Sequence, residues 1–310
     1  MAGGRGASSS ASARGRTRGQ VVATGSAVAS RAGSPPPADL EQGVPGYGWV
    51  KREMAKVESV FKSFLEVNSV WRTHRVCDPS ISQLIRLEPC PAGDCVFMGE
   101  STGPPHFYVY QCFFRDLGIR LPFTQFECDF LNYINAALSQ LHPNSWGFLR
   151  AFQVLCTVLG IEVSLRVFLS FYQLKSGAPP YGVLSLNGGK DGGLFTLYSQ
   201  SYKNYKQEFF RVALVGVDPS EDGAFYFGGL PKFPLYWCPD PSGFNGVDPS
   251  QLTASEVASI ENLKALPRPL DVKLVLSLES SLHRESGLES ILGKNSWREL
   301  KHRYRVTELE

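Results

Sequence analysis

Apolar side chains recur at three- and four-residue steps from Tyr47 to about Asp218, which is the spacing of helices with one buried face. The first stripe predicts a helix of four to five turns. Its members are Trp49, Val50, Met54, Val57, Phe61, Phe64 and Leu65. Asp78-Pro79 interrupts the pattern, and a Pro- and Gly-rich stretch over 89–105 predicts a loop. The run 107–117 fits a strand or a short helix, and Gly118 favours a helix over its second half.

Two helices forming an αα corner are predicted next. Thr124 and Glu127 have the spacing of a capping box, in which each side chain bonds the backbone N–H of the other residue, so a helix should begin at Thr124. Its buried stripe comprises Phe126, Phe130, Leu131, Ile134 and Leu138. After the His142-Pro143 break, Asn144 is the predicted cap of a second helix, which Gly160 closes. Its apolar face comprises Phe148, Leu149, Phe152, Leu155, Cys156 and Leu159. Ser164 opens a third helix, with Val167, Phe168, Phe171 and Leu174 inward, that stops at Gly177.

The apolar period then falls to two, which predicts strands. Apolar residues over 183–186 run into the turn signal Asn187-Gly188-Gly189, and 194–198 follow as the return strand of a hairpin. A helical turn over 202–208 and a strand over 209–217 complete a small antiparallel sheet. The predicted fold class is therefore α+β, mostly helical, with the αα corner and flanking helices beside that sheet. Further on, Thr253 and Glu256 form a second capping box, and Asp271 should cap a helix that runs through Ser281.

Composition divides the chain of 310 residues into four parts. These are a Gly/Ser/Arg-rich tail over 1–43, the α+β domain over 44–230, a Pro/aromatic strap over 231–252, and C-terminal helices with a charged tail over 253–310. The tail has almost no large apolar side chain to bury and is predicted to be disordered. An organelle transit peptide and a nucleic-acid-binding arm around Arg14–Arg18 are the alternatives, and no amphipathic stripe supports the transit peptide.

The charge and cysteine content exclude several classes of protein. Thirty-one Lys and Arg against 29 Asp and Glu leave a formal charge of +2, so nucleic-acid or membrane binding would need a local patch. No run approaches the roughly 20 apolar residues that span a bilayer. Seven cysteines with no secretory leader predict reduced thiols in a soluble, intracellular protein, with nucleus and cytoplasm left open.

A search for catalytic or ligand-binding motifs predicts no catalytic residue, metal ligand, cofactor or small-molecule site. Gly188-Gly189 and Gly192-Gly193 lack the spacing of phosphate-binding loops and are predicted to be turns. Cys90 and Cys95 form half of a zinc site, but no second close pair exists. The conceivable completing ligands are His74, Cys77 and Cys112. His142, at a helix junction, is predicted to be a structural hydrogen-bonding residue.

One segment has the composition of a nucleic-acid contact. Lys203, Tyr205, Lys206 and Arg211 interleave aromatic and cationic side chains, as single-strand stacking platforms do. The alternative is a short amphipathic helix that buries its aromatic rings in the core and leaves its lysines in water. The sequence leaves both interpretations open.

Several motifs resemble a plant domain family known as a gypsy-type transposon, or transposase, family. They are Gly118-Ile119-Arg120-Leu121-Pro122-Phe123, Gln140-Leu141-His142-Pro143-Asn144-Ser145-Trp146, Phe152 to Cys156, Tyr205-Lys206 with Phe209 to Val212, and Phe233 to Trp237. The resemblance covers about 76–278 and supplies no catalytic residue. Two departures are Leu138 after Ala137, which should let the preceding helix run on toward Gln140, and Tyr205 where tryptophan is usual. Family members commonly continue into charged coiled coils, so an end at Glu310 fits a fragment.

The family name suggests an enzyme, but the motifs of a reverse transcriptase, a retroviral-type protease and an integrase-type metal site are missing from the sequence. The preferred hypothesis is a non-enzymatic protein for self-association, assembly or nucleic-acid binding, with no membrane partner. A second is a metal-dependent transposase or nuclease using carboxylates such as Asp116, Asp129 and Asp191. A third is a domesticated protein-interaction module using Tyr236 and Trp237 of the strap.

Overall fold

The computed structural model describes residues 44–99, 103–279, 284–293 and 298. The chain divides into two units, 1–41 and 42–310, and the described residues all belong to the second. Residues 1–43, which are predicted to be disordered, lie outside the described residues. Most of the charged tail after Leu288 also lies outside them. No helix in the described ranges is long and apolar enough to cross a bilayer.

The described part of the chain is α+β, as the sequence predicts. The helices are α1 Arg52–Ala55, α2 Phe64–Thr73, α3 Gln111–Arg115, α4 Gln125–Tyr133, α5 Pro143–Leu159, α6 Leu165–Leu169, α7 Ala254–Lys264, α8 Val272–Ser277 and α9 Arg284–Leu292. The strands are β1 Ile85–Glu88, β2 His106–Tyr110, β3 Tyr172–Leu174, β4 Leu186–Gly188, β5 Phe209–Leu214, β6 Tyr226–Phe227, β7 Leu230–Pro231 and β8 Phe244–Asn245. Short 3₁₀ turns occur at Pro79–Leu84, Leu138–Gln140, Tyr205–Gln207 and Pro249–Gln251.

The strands form small antiparallel sheets. One has the order β1-β5-β2, with β5 in the centre, and a second has the order β4-β3-β8. The predicted hairpin between 183–186 and 194–198 is wrong, because β4 pairs with β3 and Phe195 instead bridges Leu270. The sequence assigned β3 to a long third helix, but α6 ends at Leu169 and leaves the next apolar residues free to pair as a strand.

The αα corner is formed by α4 and α5. The predicted capping box is confirmed: the Thr124 N–H donates to Glu127 Oε2 at 2.9 Å, and the Glu127 N–H donates to Thr124 Oγ1 at 3.3 Å. α4 ends at Tyr133, and Asn135 adopts a φ of 47°. The expected continuation toward Gln140 is therefore wrong. α5 is buried along most of its length, and Gly160 caps its end with a φ of 65°, a left-handed conformation that favours glycine.

The long helix predicted from Trp49 to Leu65 is wrong. α1 ends at Ala55, and α2 begins at Phe64 because Ser63 and Glu66 form a capping box of their own. Between the two helices the chain contacts the turn just before β5: the Val60 N–H donates to the Gln207 carbonyl at 2.8 Å. Phe64 and Leu65 are consequently 55% and 77% exposed instead of buried.

The C-terminal helices begin where the sequence predicts. The Thr253–Glu256 capping box starts α7, and Asp271 caps α8 through the Leu274 N–H at 3.0 Å. α8 ends at Ser277, earlier than the predicted Ser281, which lies outside the described residues. α8 packs against α5 and so closes the core on that side.

Candidate functional site

The segment Gln140–Trp146, called the corner block below, comprises the end of the α4–α5 connection and the first turn of α5. It connects this corner to distant parts of the chain. The Gln140 side chain is fully buried. Its Nε2 donates to the Cys238 carbonyl at 3.0 Å, and its Oε1 accepts from the Cys238 N–H at 2.9 Å. Its amide therefore gives the backbone of the strap both of the hydrogen bonds that a neighbouring strand would give.

His142 is the N-terminal cap of α5. Its Nδ1 accepts from the Asn144 N–H at 3.1 Å, and Pro143 occupies the first helical position, where no donor is needed. The predicted cap, Asn144, is therefore two residues too late. Burial, followed by the charge of Lys206, lowers the pKa of His142, so the neutral ring that can accept this hydrogen bond is favoured.

The remaining polar residues of the corner block hold two more loops. Asn144 Nδ2 donates to the Ser199 carbonyl at 2.9 Å, and its Oδ1 accepts from the Ser199 N–H at 3.1 Å. Ser145 Oγ accepts from the Leu186 N–H at 2.9 Å, and Trp146 Nε1 donates to the Leu138 carbonyl at 2.9 Å. The block is thus a structural hub whose polar groups are used inside the fold.

Leu121-Pro122-Phe123 also has structural contacts. Leu121 makes a parallel bridge with Cys77, and its carbonyl accepts from the Asp78 N–H at 2.8 Å. The Phe123 ring stacks on Trp146 at 5.6 Å between ring centroids and meets Phe233 edge-on at 4.9 Å. These aromatic contacts join the α3–α4 connection to α5 and the strap.

The residues predicted as a nucleic-acid contact do not form an exposed stacking surface. Tyr205 is only 5% exposed and packs edge-on against Tyr110 and His142. Lys206 Nζ lies 3.7 Å from Glu53 Oε1, while Lys203 is exposed. Arg211 lies on the central strand β5 and is ion-paired. This arrangement corresponds to the alternative interpretation, with aromatic rings in the core and lysines at the surface.

A buried ionic cluster around Arg211 was not predicted. Arg211 Nη2 donates to Asp94 Oδ1 at 2.6 Å, and the two side chains are 14% and 10% exposed. The Tyr108 hydroxyl donates to Asp94 Oδ2 at 3.0 Å, and burial raises the pKa of that hydroxyl. Burial opposes the charge of Arg211, but the hydrogen bond that its guanidinium donates to Asp94 outweighs burial and raises the pKa of Arg211. Asp94 and Arg211 are 117 residues apart, so no local pattern could have revealed the pair.

The candidate carboxylates of a metal-dependent enzyme have separate partners. Asp116 pairs with Arg115 at 3.0 Å, Asp129 accepts from Gln125 at 2.7 Å, and Asp191 lies 3.8 Å from Lys264. Across the described ranges, no three His, Cys, Asp or Glu side chains come together as a metal site.

The seven cysteines are free thiols. Six are buried, including Cys77, Cys90, Cys95 and Cys112 of the considered zinc site. Burial raises the pKa of Cys90 to about 12, so its thiol stays protonated and is a poor nucleophile or metal ligand at neutral pH.

The Pro/aromatic strap is anchored in the fold. Trp237 Nε1 donates to Ser139 Oγ at 3.0 Å and is buried, and half-buried Tyr236 packs edge-on against His106. Large apolar side chains are exposed elsewhere. They include Val60 before α2, Phe64 and Leu65 at the start of α2, Phe227 in β6 and Leu230 in β7.

Comparison with protein families gives a match over part of the chain. Residues 108–176 match the family described as "Putative gypsy type transposon", a segment that runs from β2 through β3 and contains the corner block. No curated protein and no solved structure matches the chain. The predicted resemblance is thus confirmed over this segment: the part of the chain that contains the αα corner is similar to the gypsy-type transposon family.

Proposed function

We propose that the chain is a non-enzymatic, transposon-derived protein that functions in assembly, a role like that of a structural protein of a transposable element. The observation that carries this proposal is the distribution of side chains on the domain. The polar groups of the corner block bond internal loops, whereas Phe227 and Leu230 are 67% and 69% exposed. Exposed apolar side chains on the surface of a well-packed domain favour contact with another protein.

Two observations support assembly over the alternatives. Asp116, Asp129 and Asp191 each interact with a different basic or amide side chain, and this does not favour a two-metal nuclease. Tyr205 and Trp237 are both buried, so neither ring is free to stack on a base or to enter a partner.

Sedimentation equilibrium of the purified full chain tests the proposal. The expected result is an average mass that rises with protein concentration. In parallel, gel shift at low salt tests single-stranded RNA and DNA, with no retardation expected. A monomer at every concentration would contradict the proposal. Cleavage of nucleic acid that requires Mg²⁺ or Mn²⁺ and disappears in Asp129→Ala would show a nuclease instead.

A further inference from the structure

The hairpin formed by β6 and β7 displays two apolar side chains side by side. Gly228 and Gly229 have φ values of 58° and 80°, the conformation of a tight two-residue hairpin turn that suits glycine. Phe227 and Leu230 are directly opposite each other in the register, one on each side of the turn. Both point largely into solvent, being 67% and 69% exposed. Phe227 and Leu230 together thus form a compact apolar protrusion at the turn, called the knob below.

The knob is held firmly in place. The Asp222 carboxylate accepts from the Gly228 N–H at 2.6 Å, and the Lys232 N–H donates to the Phe225 carbonyl at 2.8 Å. Phe225 and Tyr226, just before the turn, are buried. The base of the hairpin is tied to α4, because Asn132 Nδ2 donates to the Lys232 carbonyl at 2.7 Å. An interaction that uses this knob therefore needs little ordering of the backbone.

A groove lies beside the knob. It has a volume of about 440 Å³ and is lined by Gln125, Asn132, Phe227, Leu230, Pro231 and Lys232. The groove runs along the exposed side of α4, and the hairpin forms its other wall. Knob and groove therefore occupy the same face of the domain. A twofold contact requires such a self-complementary face, because each copy must offer both the inserted group and the site that receives it.

The face that contains the knob and the groove also has charges of both signs, so two copies of it can attract each other. Asp218, Glu221 and Asp222 precede the hairpin and are exposed, while Lys232 lines the groove. Hydrogen bonds from the Ser220 hydroxyl and N–H lower the pKa of Asp218, so it is ionised at neutral pH. In a twofold contact, the acidic segment of each copy can approach the lysine of the other. The charges thus favour a second copy of this chain as the occupant.

We propose that the β6–β7 hairpin is a homodimer contact in which Phe227 and Leu230 of each copy enter the groove of the other. This inference rests on the assembly function proposed above and names its surface and partner. One hairpin and one groove per copy bury less than the roughly 1,200–2,000 Å² of a stable interface, so the dimer is weak and depends on concentration.

Sedimentation equilibrium of the full chain from about 1 µM to about 1 mM tests the contact, because this range spans weak dimers. Phe227→Asp and Leu230→Asp should each weaken dimerisation at least tenfold, because each replaces an apolar side chain of the contact with a charged one that dimerisation would have to desolvate. Leu197→Asp is the matched control, since Leu197 is also exposed but does not line the groove. It should leave the dimer unchanged. Far-UV circular dichroism of each variant checks that the fold is retained, and Leu230→Asp keeps the test decisive if Phe227→Asp does not fold.

A charge exchange provides an independent measurement. Glu221→Lys and Lys232→Glu should each weaken the dimer, and the double variant should restore it. A wild-type oligomer that Phe227→Asp and Leu230→Asp leave intact would overturn the hairpin contact while the assembly function stands through another surface. A wild-type chain that stays monomeric would overturn both proposals.

Discussion

Gln140 and Cys238 are 98 residues apart, and the side chain of one forms a reciprocal pair of hydrogen bonds with the backbone of the other, at 3.0 and 2.9 Å. Asn144 does the same for Ser199. In both cases a primary amide, which has a donor and an acceptor side by side, replaces the strand that these loops lack. The polar residues of the corner block, which lies in the segment that matches the transposon family, therefore stabilise the fold of the domain.

Gln140→Leu should lower the free energy of unfolding by about 3 kcal/mol. The leucine has a similar volume but leaves the N–H and carbonyl of half-buried Cys238 without the partners that Gln140 provides, and each unsatisfied group costs about 1–3 kcal/mol. Urea denaturation measures the loss. Gln251→Leu, at an exposed position, is the control and should change stability by less than about 0.5 kcal/mol. Equal effects of the two substitutions would contradict the role assigned to Gln140.

His142 should make the stability of the domain sensitive to acid. Its pKa in the folded state is below the ordinary 6.5, so the unfolded chain binds the proton more readily. The stabilisation is therefore complete above about pH 6.5 and is lost as the pH falls toward the folded pKa. Protonation of Nδ1 also removes the acceptor for the Asn144 N–H. Urea denaturation between about pH 8 and about pH 5 measures the slope, with these limits set about one and a half units either side of the ordinary histidine pKa.

His142→Asn separates this effect from the acid sensitivity of His106, whose pKa is also lowered, first by its burial. Asparagine caps helices well but does not titrate, so the variant should lose less stability on acidification than the wild type. His142→Ala should lose about 1 kcal/mol at pH 8 through the missing cap. Parallel pH curves for the wild type and His142→Asn would show that His142 does not titrate as inferred.

Local signals located the helix starts that depend on a few neighbouring residues. The boxes at Thr124 and Thr253 and the closing Gly160 involve only residues within about one helical turn, so the sequence contains all the information needed. Ser63 and Glu66 form the same box. The sequence interpretation followed the apolar stripe from Trp49 to Leu65 instead of this capping box. It therefore predicted one long helix where the chain forms two short ones.

Pairing between distant segments could not be predicted. β1 has four residues, and its partner β5 lies more than a hundred residues further along the chain. Nothing within 85–88 indicates that partner. The same limitation applies to Asp94, which lies in a loop and has no periodic context. Tyr205 and Arg211 were predicted as nucleic-acid contacts from their composition alone, but their surroundings depend on Tyr110, Asp94 and Tyr108.

Asp94→Asn should lower the free energy of unfolding by about 3 kcal/mol. The Arg211 guanidinium would remain charged in a site where only 14% of its side chain is exposed, and an uncompensated buried charge is costly. The double variant Asp94→Asn/Arg211→Met should recover part of the loss, because no unpaired charge remains. Urea denaturation of the four proteins in this cycle gives the coupling between the two side chains.

The exposed pair Glu58–Lys62 provides the comparison for this cycle. Its side chains are 73% and 43% exposed, so Glu58→Gln should change stability by less than about 1 kcal/mol. If Asp94→Asn lowers the free energy of unfolding no more than Glu58→Gln does, solvent compensates the charge of Arg211.

If the aromatic-basic segment is part of the core, substitution of Tyr205 should lower the stability of the domain, whereas substitution of Lys203 should not. Tyr205→Ala should cost about 3 kcal/mol of stability, because it removes a buried ring that packs against Tyr110 and His142. Tyr205→Phe keeps those ring contacts and should be far milder. Lys203→Ala, at an exposed position, should leave stability within about 0.5 kcal/mol of the wild type. Thermal denaturation measures all three variants, and gel shift with single-stranded RNA accompanies it. A stable Tyr205→Ala variant that loses RNA retardation shown by the wild type would place the ring at a nucleic-acid interface instead.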